Sequence, residues 1–442
     1  MSNGLILSMN IEDIQKKINE YLPIRIEEKD KFGEVFTPVD LINELLDKLP
    51  SRVWKDPNLK WLDPANGIGN FPMIVYSRLM ERLPGPKNAK KSNHILKNMI
   101  YMCELNPKNA IISRKIFGKD ANIAVGDFFN KENWKKKFGG IDIFDVIIGN
   151  PPFQTEVKPL SGNANRSAGA GTLWDKFIIQ SFELLKPNGI LGFITPPGWR
   201  KPGSKLWNLM TQDNQLLYLH IYNKKRAQEI FHVSQRIDLY VIEKKPHYKN
   251  VELIDSQENK HDFNLKNWNF LPNYDYVEIK KILTTEEDGI KVIYNNAYNS
   301  QKASRIKSDK NKYPVIHGII QKGLVLLYTD DKKKGHFGIP KVILNANEQQ
   351  YPVNDFEGKY GMSQLSFGIP ITSKKQGDDI VKAINSDRFK EIIKATKWGI
   401  FQTEYKMFKY FKPDFYKSFL SGKNTSVKIK HTKNLTRKKR KK

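Results

Sequence analysis

Cysteine is nearly absent from this sequence: Cys103 is the only one among 442 residues. One cysteine cannot form an internal disulfide framework, and it cannot supply a thiolate-rich metal cluster. Long apolar runs are also missing, since no stretch approaches the roughly 20 residues that a membrane-spanning helix needs. The first ten residues lack the basic and then apolar pattern of a secretory leader. We therefore expect an intracellular protein that is not embedded in a membrane.

Acidic residues are outnumbered by basic ones: 74 Lys and Arg face 47 Asp and Glu, which gives a formal net charge of +27. Such an excess favours a polyanionic partner, because neutralising phosphates releases condensed counterions. A lysine- and asparagine-rich coding bias is the competing interpretation. Part of the excess is local, since residues 422–442 contain ten Lys or Arg and no acid. The charge indicates a nucleic acid as partner without defining any chemistry.

Strand-like and helix-like segments alternate between about residues 30 and 245. Apolar runs such as IYMCELN and NIAVGD indicate strands, and segments such as PKNAIISRKIFG indicate the helices between them. This rhythm predicts an α/β fold with an open, mostly parallel sheet and helices on both faces. The runs LLYLHIY and RIDLYVIEK are expected near the edge of that sheet. A helix is expected to start near Pro38, with Thr37 as its N-cap.

The pattern changes near residues 246–250, where helical periodicity fades and short β-like runs such as KVILN and LSFGIPI follow. We place a domain boundary there, between a main α/β domain over 31–245 and a C-terminal α+β domain over 246–425. Residues 1–30 are expected to form an N-terminal helical segment. Residues 426–442 are expected to be a disordered basic tail.

Polar residues stand at the ends of four predicted strands, and ligands bind beyond the carboxyl ends of strands in an open α/β sheet. Asp63 ends the first strand and precedes Gly67 and Gly69, which let the backbone approach a ligand. Glu104 ends the second strand, where an acid suits a ribose diol. Asp127 follows the third strand, where a carboxylate can accept from an adenine amino group. Each signal is weak alone, because surface acids and turn glycines are common.

The most informative motif is Asn150-Pro151-Pro152-Phe153, directly after the fourth strand. Two prolines cannot continue a central strand, so the chain leaves the sheet here in an extended conformation. The Asn150 side-chain carbonyl and the Pro151 backbone carbonyl then face the same space, and two acceptors can hold both hydrogens of an exocyclic amine. This keeps the nitrogen lone pair out of the ring and able to attack a methyl sulfonium. Phe153 is placed to stack on a base that has left its helix.

Taken in order, these motifs resemble the amino-methyltransferases of DNA that carry NPPY or NPPF in the gamma arrangement, a group with Eco57I-like and TaqI-like methylases. The resemblance covers about residues 30–245 and rests on KFGEVFTP, LDPANGIGNF, ELN, GDF, NPPF, LLKPNGILGFITP and IFHVSQRIDLYVIEK. It implies a Rossmann-like sheet that binds S-adenosyl-L-methionine and transfers a methyl group to N6 of a flipped adenine in double-stranded DNA. It also implies that 246–425 recognises the target sequence. The implied location is the cytoplasm or the DNA itself, and the nucleus if the host is a eukaryote.

The resemblance further implies roles for individual residues. Phe36, Thr37 and Pro38 match a segment that closes over the cofactor and contacts its methionine carboxylate. Asn150 through Phe153 match the catalytic motif, and Phe153 and Phe231 match aromatics that pack on the flipped base. No metal ligand is implied. The residues assigned to cofactor binding are Phe36, Thr37, Pro38, Asp63, Ala65, Gly67, Gly69, Glu104, Asp127 and Asn150.

Other chemistries were weighed against this one. Methylation of cytosine at C5 needs a cysteine nucleophile, and Cys103 stands at a different strand end from the NPPF motif, so it is excluded. Cytosine N4, RNA and protein glutamine side chains remain open as methyl acceptors, as does a non-catalytic protein that only binds DNA. A cognate restriction endonuclease is a further partner if the methylation protects DNA from cleavage.

Three remaining patterns favour structural interpretations. The run 355–359 resembles a nuclease metal site but is expected by chance in a chain so rich in Lys and Glu. Aromatics at spacings of three and four over 398–408 fit a helix face packed in a core better than a base-stacking platform. The segment 199–201 is expected to be a solvated loop. The Gly-, Ser- and Asn-rich insertion 155–172 is instead interpreted as a mobile loop that orders when DNA binds, with an inert surface insertion as the alternative.

Overall fold

The computed structural model describes residues 37–153, 172–231, 235–299, 303–347, 350–399 and 403–420. The N-terminal segment, Phe36, nearly all of the 155–172 insertion and the basic tail lie outside the described residues, so the predictions made for them stay predictions. The chain divides into two compact units. The first unit is Met1–Lys280 with Ile393–Met407, and the second is Lys281–Ile392 with Phe408–Lys442.

The first unit is built on a nine-stranded sheet with the order β3-β2-β1-β4-β5-β7-β6-β8-β9. Strand β7 runs antiparallel to β5 and β6, strand β9 runs antiparallel to β8, and the other neighbours are parallel. The strands are β1 (Trp61–Asp63), β2 (Ile100–Glu104), β3 (Asn122–Val125), β4 (Phe144–Gly149), β5 (Leu185–Thr195), β6 (Gln215–Tyr222), β7 (Ile237–Glu243), β8 (Val251–Ile254) and β9 (Lys260–Phe263).

Helices connect most of these strands, and none of those described is long and apolar enough to cross a membrane. They are α1 (Val39–Asp47), α2 (Asn70–Arg82), α3 (Ala89–His94), α4 (Pro107–Phe117), α5 (Lys131–Lys137), α6 (Trp174–Leu184), α7 (Trp207–Thr211), α8 (Lys224–Phe231) and α9 (Tyr276–Ile282). Shorter turns are the 3-10 helices Ser51–Trp54 and Pro197–Arg200 and the π-helical turn Ile95–Met99.

Alternate residues of the central strands pack into two separate layers, because successive side chains of a strand point to opposite faces. Met102 and Ile148 join the apolar sides of α1 and α2 in one core. Tyr101 and Phe144 point to the other face, where their rings contact Phe138 at the end of α5. The sheet is thus covered by helices on both faces, and the predicted α/β fold is confirmed.

The sheet extends further than the sequence prediction allowed. The runs LLYLHIY and RIDLYVIEK form β6 and β7, which lie inside the sheet because β8 and β9 add two strands beyond them. These two strands follow the boundary expected near 246–250, which stays a prediction, and the second compact unit begins at Lys281. Each added strand has only four residues, with exposed positions among them, so neither gave a clear periodic signal.

The second unit contains two three-stranded sheets, with the orders β11-β10-β14 and β13-β12-β15. Their strands are β10 (Tyr313–Ile320), β11 (Gly323–Thr329), β12 (Lys341–Asn345), β13 (Val353–Asp355), β14 (Gly361–Met362) and β15 (Ser366–Pro370). The helices α10 (Lys374–Asn385) and α11 (Asp387–Ala395) follow in the chain, then the 3-10 helices Tyr405–Tyr410 and Phe415–Phe419. The mixture of strands and helices agrees with the α+β class predicted for the C-terminal region.

Two of the patterns given structural interpretations are part of the core. Asp355 is buried and forms an ion pair with the buried Lys341, with Nζ and Oδ2 2.8 Å apart, so it serves the fold. Trp398 and Phe408 are buried as expected. The predicted helix over 398–408 is wrong, because Trp398 lies in an irregular segment before Tyr405–Tyr410. These aromatics are both buried, but they do not lie on one helix.

Arg200 does not lie in a solvated loop, so that prediction is wrong. Its side chain is fully buried, and its Nε and Nη2 donate to the two carboxylate oxygens of Asp238 at 2.6 and 2.9 Å. Its Nη1 donates to the carbonyls of Leu271 and Pro272, and its Nη2 also donates to Asn273 Oδ1. All these partners are distant in sequence, so the local composition around Arg200 gave no sign of them.

Candidate active site

The turn that follows β1 depends on two glycines in the left-handed region. Gly67 has a φ of +58° and Gly69 a φ of +101°. A Cβ on Gly69 would also lie 2.5 Å from a ring carbon of Phe117, so any side chain is excluded there on two grounds. The turn leads directly into Asn70, the first residue of α2. The predicted cofactor turn is therefore a tight backbone loop at the carboxyl end of a central strand.

Glu104 adjoins this turn from the end of β2. Its Oε2 accepts from the Gly67 N–H at 2.6 Å. Its Oε1 accepts from the Asn106 N–H at 2.7 Å and from Asn109 Nδ2 at 3.3 Å. The carboxylate is buried, and these bonds hold it in one orientation beside the glycine turn. This is the position in which the sequence predicts a ribose-binding acid.

Asp63 is a buried carboxyl at the end of β1. Burial raises its pKa to about 8, and the neighbouring Glu104 charge adds to the rise. Its Oδ1 accepts from the Ala65 N–H at 3.1 Å, and within the described ranges no Lys or Arg forms an ion pair with it. Because this pKa lies above neutral pH, the Asp63 carboxyl is mostly protonated, and the negative charge beside it is that of Glu104. That charge favours a cationic ligand over a phosphate at this end of the site.

Asp127 is placed differently from the other two acids. It follows β3 as predicted, but its side chain is exposed. Its Oδ1 accepts from the Phe129 N–H at 2.9 Å, which shapes the turn after the strand. Its contact with an adenine ring stays a prediction.

Thr37 does not cap α1, so that prediction is wrong. The N-cap position belongs to Pro38, and no side chain caps the helix. The Thr37 side chain has another partner: its Oγ1 accepts from Asn150 Nδ2 at 3.1 Å. Its backbone carbonyl accepts from Asn70 Nδ2 at 3.4 Å. Thr37 therefore contacts both the cofactor turn and the catalytic motif.

Asn150, at the end of β4, has one amide atom engaged and one without a partner. Its Nδ2 donates to Thr37, whereas its Oδ1 is buried and has no hydrogen-bond partner among the described residues. A buried acceptor in this state costs about 1–3 kcal/mol. Strands β1 and β4 are neighbours, and a Cβ on Gly149 would lie 3.0 Å from Asp63 Oδ1. The unpaired acceptor is therefore close to the electronegative part of the site.

The remaining residues of the motif leave the sheet. Pro151 is buried, and Pro152 and Phe153 are partly exposed. The Phe153 carbonyl accepts from the Leu173 N–H at 3.3 Å, which joins the two described ends of the insertion. Phe231, in contrast, is 1% exposed and its ring is part of the apolar core. Phe153 packs against the same core from its partly exposed position, and its contact with a base stays a prediction. The stacking role of Phe231 also stays a prediction, which its burial does not favour.

Asn66 and Asn70 were not assigned a role from the sequence. Both are buried, and the Oδ1 of each has no hydrogen-bond partner within the described ranges. Both stand in the segment LDPANGIGNF, so the amides flanking the glycines were the available signal. No group of three or more His, Cys, Asp or Glu in the described residues is placed to hold a metal ion.

Comparison with known proteins gives matches to the same part of the chain. Residues 66–231 match the family described as Eco57I restriction-modification methylase. An uncharacterised adenine-specific methylase of Mycoplasma pneumoniae is 23% identical and aligns with 38% of this chain and 55% of that protein. The modification methylase CviBIII of Paramecium bursaria Chlorella virus NC1A is 28% identical and aligns with 42% of this chain and 44% of that protein. This chain spans about half the length of these two relatives.

Among solved structures, a nuclease-deletion mutant of the Type ISP restriction-modification enzyme LlaGI, in complex with a DNA substrate mimic, is similar in fold. The TM-score is 0.53 at 11% identity, over 88% of this chain and 48% of that one. The matched family segment contains the glycine turn, Glu104, the NPPF motif and β4 to β6. The family resemblance drawn from the motifs is confirmed over residues 66–231, which are similar to the Eco57I restriction-modification methylase family.

Proposed function

We propose that this protein transfers a methyl group from S-adenosyl-L-methionine to N6 of an adenine in DNA. The observation that carries the proposal is the buried Asn150 Oδ1, an acceptor without a partner in the described residues, at the end of a central strand. An exocyclic amine supplies the hydrogen that this oxygen lacks. The two prolines that follow end the strand and keep the chain extended. No further strand residue therefore covers the acceptor.

The charge of the site supports the cofactor. S-adenosyl-L-methionine carries positive charge on its sulfonium and its ammonium group, and it supplies an activated methyl group when bound. The buried Asp63 has no cation paired with it in the part of the chain described, and Glu104 is fixed beside Gly67. A nucleotide with a pyrophosphate would be repelled by the Glu104 carboxylate.

The protein's part in the reaction is to hold the amine. Asn150 Oδ1 accepts one N–H of the target amine, and Thr37 holds the other end of the amide. As the nitrogen forms its new bond to carbon it becomes more positive, so an acceptor fixed beforehand stabilises the transition state more than the ground state. Phe153 stacks on the base, which must leave the double helix to reach this strand end.

The proposed partner is double-stranded DNA, and the C-terminal region, over about 246–425, is proposed to recognise the target sequence. The net charge of +27 supports a polyanion. The family and two of the similar proteins are named for modification or restriction-modification. A role in modification implies a cognate restriction endonuclease as a further partner. It also implies that the protein acts inside the cell whose DNA it methylates.

A product analysis tests the proposal. Purified protein is incubated with S-adenosyl-L-methionine labelled with tritium in the methyl group. Three parallel reactions contain polymerase-amplified genomic DNA, transfer RNA or a protein extract. The DNA is digested to nucleosides, and the labelled one is identified by chromatography against standards. We expect N6-methyl-2′-deoxyadenosine, from DNA alone. Label in N4-methylcytosine, in RNA or in glutamine would replace the proposal with one of the alternatives, and no label in any substrate would contradict it.

A further inference from the structure

Three separate segments of the chain meet at Thr37. Its backbone carbonyl accepts from Asn70, which begins α2 directly after the glycine turn. Its side-chain oxygen accepts from Asn150, which is 113 residues away in sequence. Thr37 itself stands before α1 and is only 6% exposed. One residue therefore connects the cofactor turn with the amide of the catalytic motif.

The two asparagines share a pattern. In each, Nδ2 donates to Thr37, and Oδ1 is buried without a hydrogen-bond partner among the described residues. The donor and the acceptor of an amide are attached to the same carbon, so holding Nδ2 also determines where Oδ1 points. If the Asn150 amide were turned by half a rotation, its N–H groups would face the N–H groups of the amine, and methyl transfer would lose its acceptor.

We propose that Thr37 is a positioning residue for methyl transfer: its hydroxyl oxygen accepts the Asn150 Nδ2–H and so directs Oδ1 to the amine. The proposal rests on the function proposed above. Asn70 anchors Thr37 by its bond to the backbone carbonyl, which links the position of the amide to the cofactor turn. A valine has nearly the shape of threonine but no lone pair, so it would leave the Asn150 amide free to rotate.

The first test compares Thr37→Val with Thr37→Ser in single-turnover methylation of polymerase-amplified genomic DNA. We expect Thr37→Val to lower the rate by about 10- to 100-fold, because misplacement of one reacting group has effects of this size. With S-adenosyl-L-methionine saturating, the KM for DNA should change by less than about threefold, since the change affects turnover rather than DNA binding. Thr37→Ser keeps the hydroxyl and should restore most of the lost rate.

A double-mutant cycle separates positioning from a general structural effect. In the Asn150→Ala background there is no amide to orient, so Thr37→Val should cause no further loss. A loss of the same factor in both backgrounds would overturn the proposal, because Thr37 would then act independently of Asn150. An unchanged rate in Thr37→Val would overturn it as well. The matched control is Thr211→Val, which removes a buried hydroxyl that donates to the Trp207 carbonyl at 2.7 Å and should lower stability without lowering the rate.

A measurement that does not depend on methylation tests the positioning role of Thr37 separately from the proposed function. In protein labelled with nitrogen-15 at asparagine, the Asn150 side-chain amide signal is identified by its loss in Asn150→Ala. In Thr37→Val that signal should shift and exchange faster with solvent, because its hydrogen bond is gone. An unchanged Asn150 signal in Thr37→Val would overturn the positioning role, even if the unmodified protein methylates DNA. If the signal changes in Thr37→Val but the unmodified protein methylates no adenine, the hydrogen bond between Thr37 and Asn150 is supported and the proposed function is overturned. If Thr37→Val fails to fold, Asn70→Ala tests the same connection through the anchor, with a smaller rate loss that also vanishes in Asn150→Ala.

Discussion

Two buried polar clusters of the first unit differ in how completely their hydrogen bonds are made. The cluster around Arg200 follows β5, and every nitrogen of its guanidinium group donates to a carboxylate, an amide or a backbone carbonyl. The cluster around Thr37 joins the ends of β1 and β4, and there the Oδ1 atoms of Asn70 and Asn150 accept nothing from the described residues. Both clusters are buried, and both lie beyond the carboxyl ends of neighbouring strands.

The difference separates a cluster that serves the fold from one that fits the proposed reaction. A buried polar network that is fully paired fixes one arrangement of its elements, whereas an incomplete one leaves a cost that only a ligand removes. Burial raises the pKa of Asp238 even beside the Arg200 charge, so the first cluster depends on its ion pair staying intact. The second cluster is ready to bind, since its missing partners are hydrogen-bond donors.

The largest effect is expected from breaking the complete cluster. Arg200→Ala leaves the Asp238 charge buried without its partner, which should lower the free energy of unfolding by about 3–5 kcal/mol. Urea unfolding followed by circular dichroism measures this. The control is Lys186→Ala, which removes a partly exposed ion pair with Asp145 and should change stability by less than about 1 kcal/mol. Equal effects of the two substitutions would contradict the contrast between the clusters.

Breaking the incomplete cluster should affect the reaction instead. Asn150→Ala removes the acceptor proposed to act in the transition state, so we expect single-turnover methylation to fall by about 10²- to 10³-fold. Calorimetry should show a cofactor affinity within about threefold of the unmodified protein. The matched control is Asn122→Ala, which removes an asparagine whose Nδ2 donates to three backbone carbonyls beside β3 and should reduce stability only. Near-normal turnover in Asn150→Ala would remove it from the catalytic role.

The charge of the cofactor end predicts a pH dependence. Asp63 has an ordinary pKa of 3.8 and a folded-state pKa of about 8, so the folded protein binds this proton more tightly than the unfolded chain. Its contribution to stability is therefore full below about pH 4 and is lost as the pH rises towards 8. Asp63→Asn should remove up to about 1.4 kcal/mol per pH unit of this decline and should also weaken cofactor binding. Parallel stability profiles of the two proteins between these pH values would show that Asp63 is not buried as an acid.

The smallest effect concerns the base rather than the amine. With 2-aminopurine at the methylated adenine of an oligonucleotide, binding should increase fluorescence because the base loses its stacked neighbours. Phe153→Leu should increase it further, since no aromatic ring then restacks on the base and quenches it. Phe231→Leu should leave the signal unchanged, because that ring is already enclosed by the core. A change in the second variant would instead support the stacking role that the sequence assigned to Phe231.

The positions of the acids and of Asn150 could be predicted because apolar runs, glycines and prolines mark where each strand stops. The partners of these residues could not. The Thr37 hydroxyl looked like a helix cap, since a cap depends on neighbours, whereas its actual partner is 113 residues away. Arg200 looked solvated for the same reason. Strands β8 and β9 were missed because four residues are too few for a periodic pattern.

The position of β1 has a consequence for the order in which the protein assembles. This strand has three residues, and it pairs with β2 through Trp61 and Ile100 and with β4 through Trp61 and Val146. During synthesis the β2 partner is available first, but so short a central strand gains its second row of hydrogen bonds only after β4 has been made. Long-range pairing of this kind is slow, so we expect the centre of the sheet and the complete site to form together, late in folding. Pulse-labelling hydrogen exchange should then protect the amides of β1 and β4 in the same step, after those of the local β6–β7 pair.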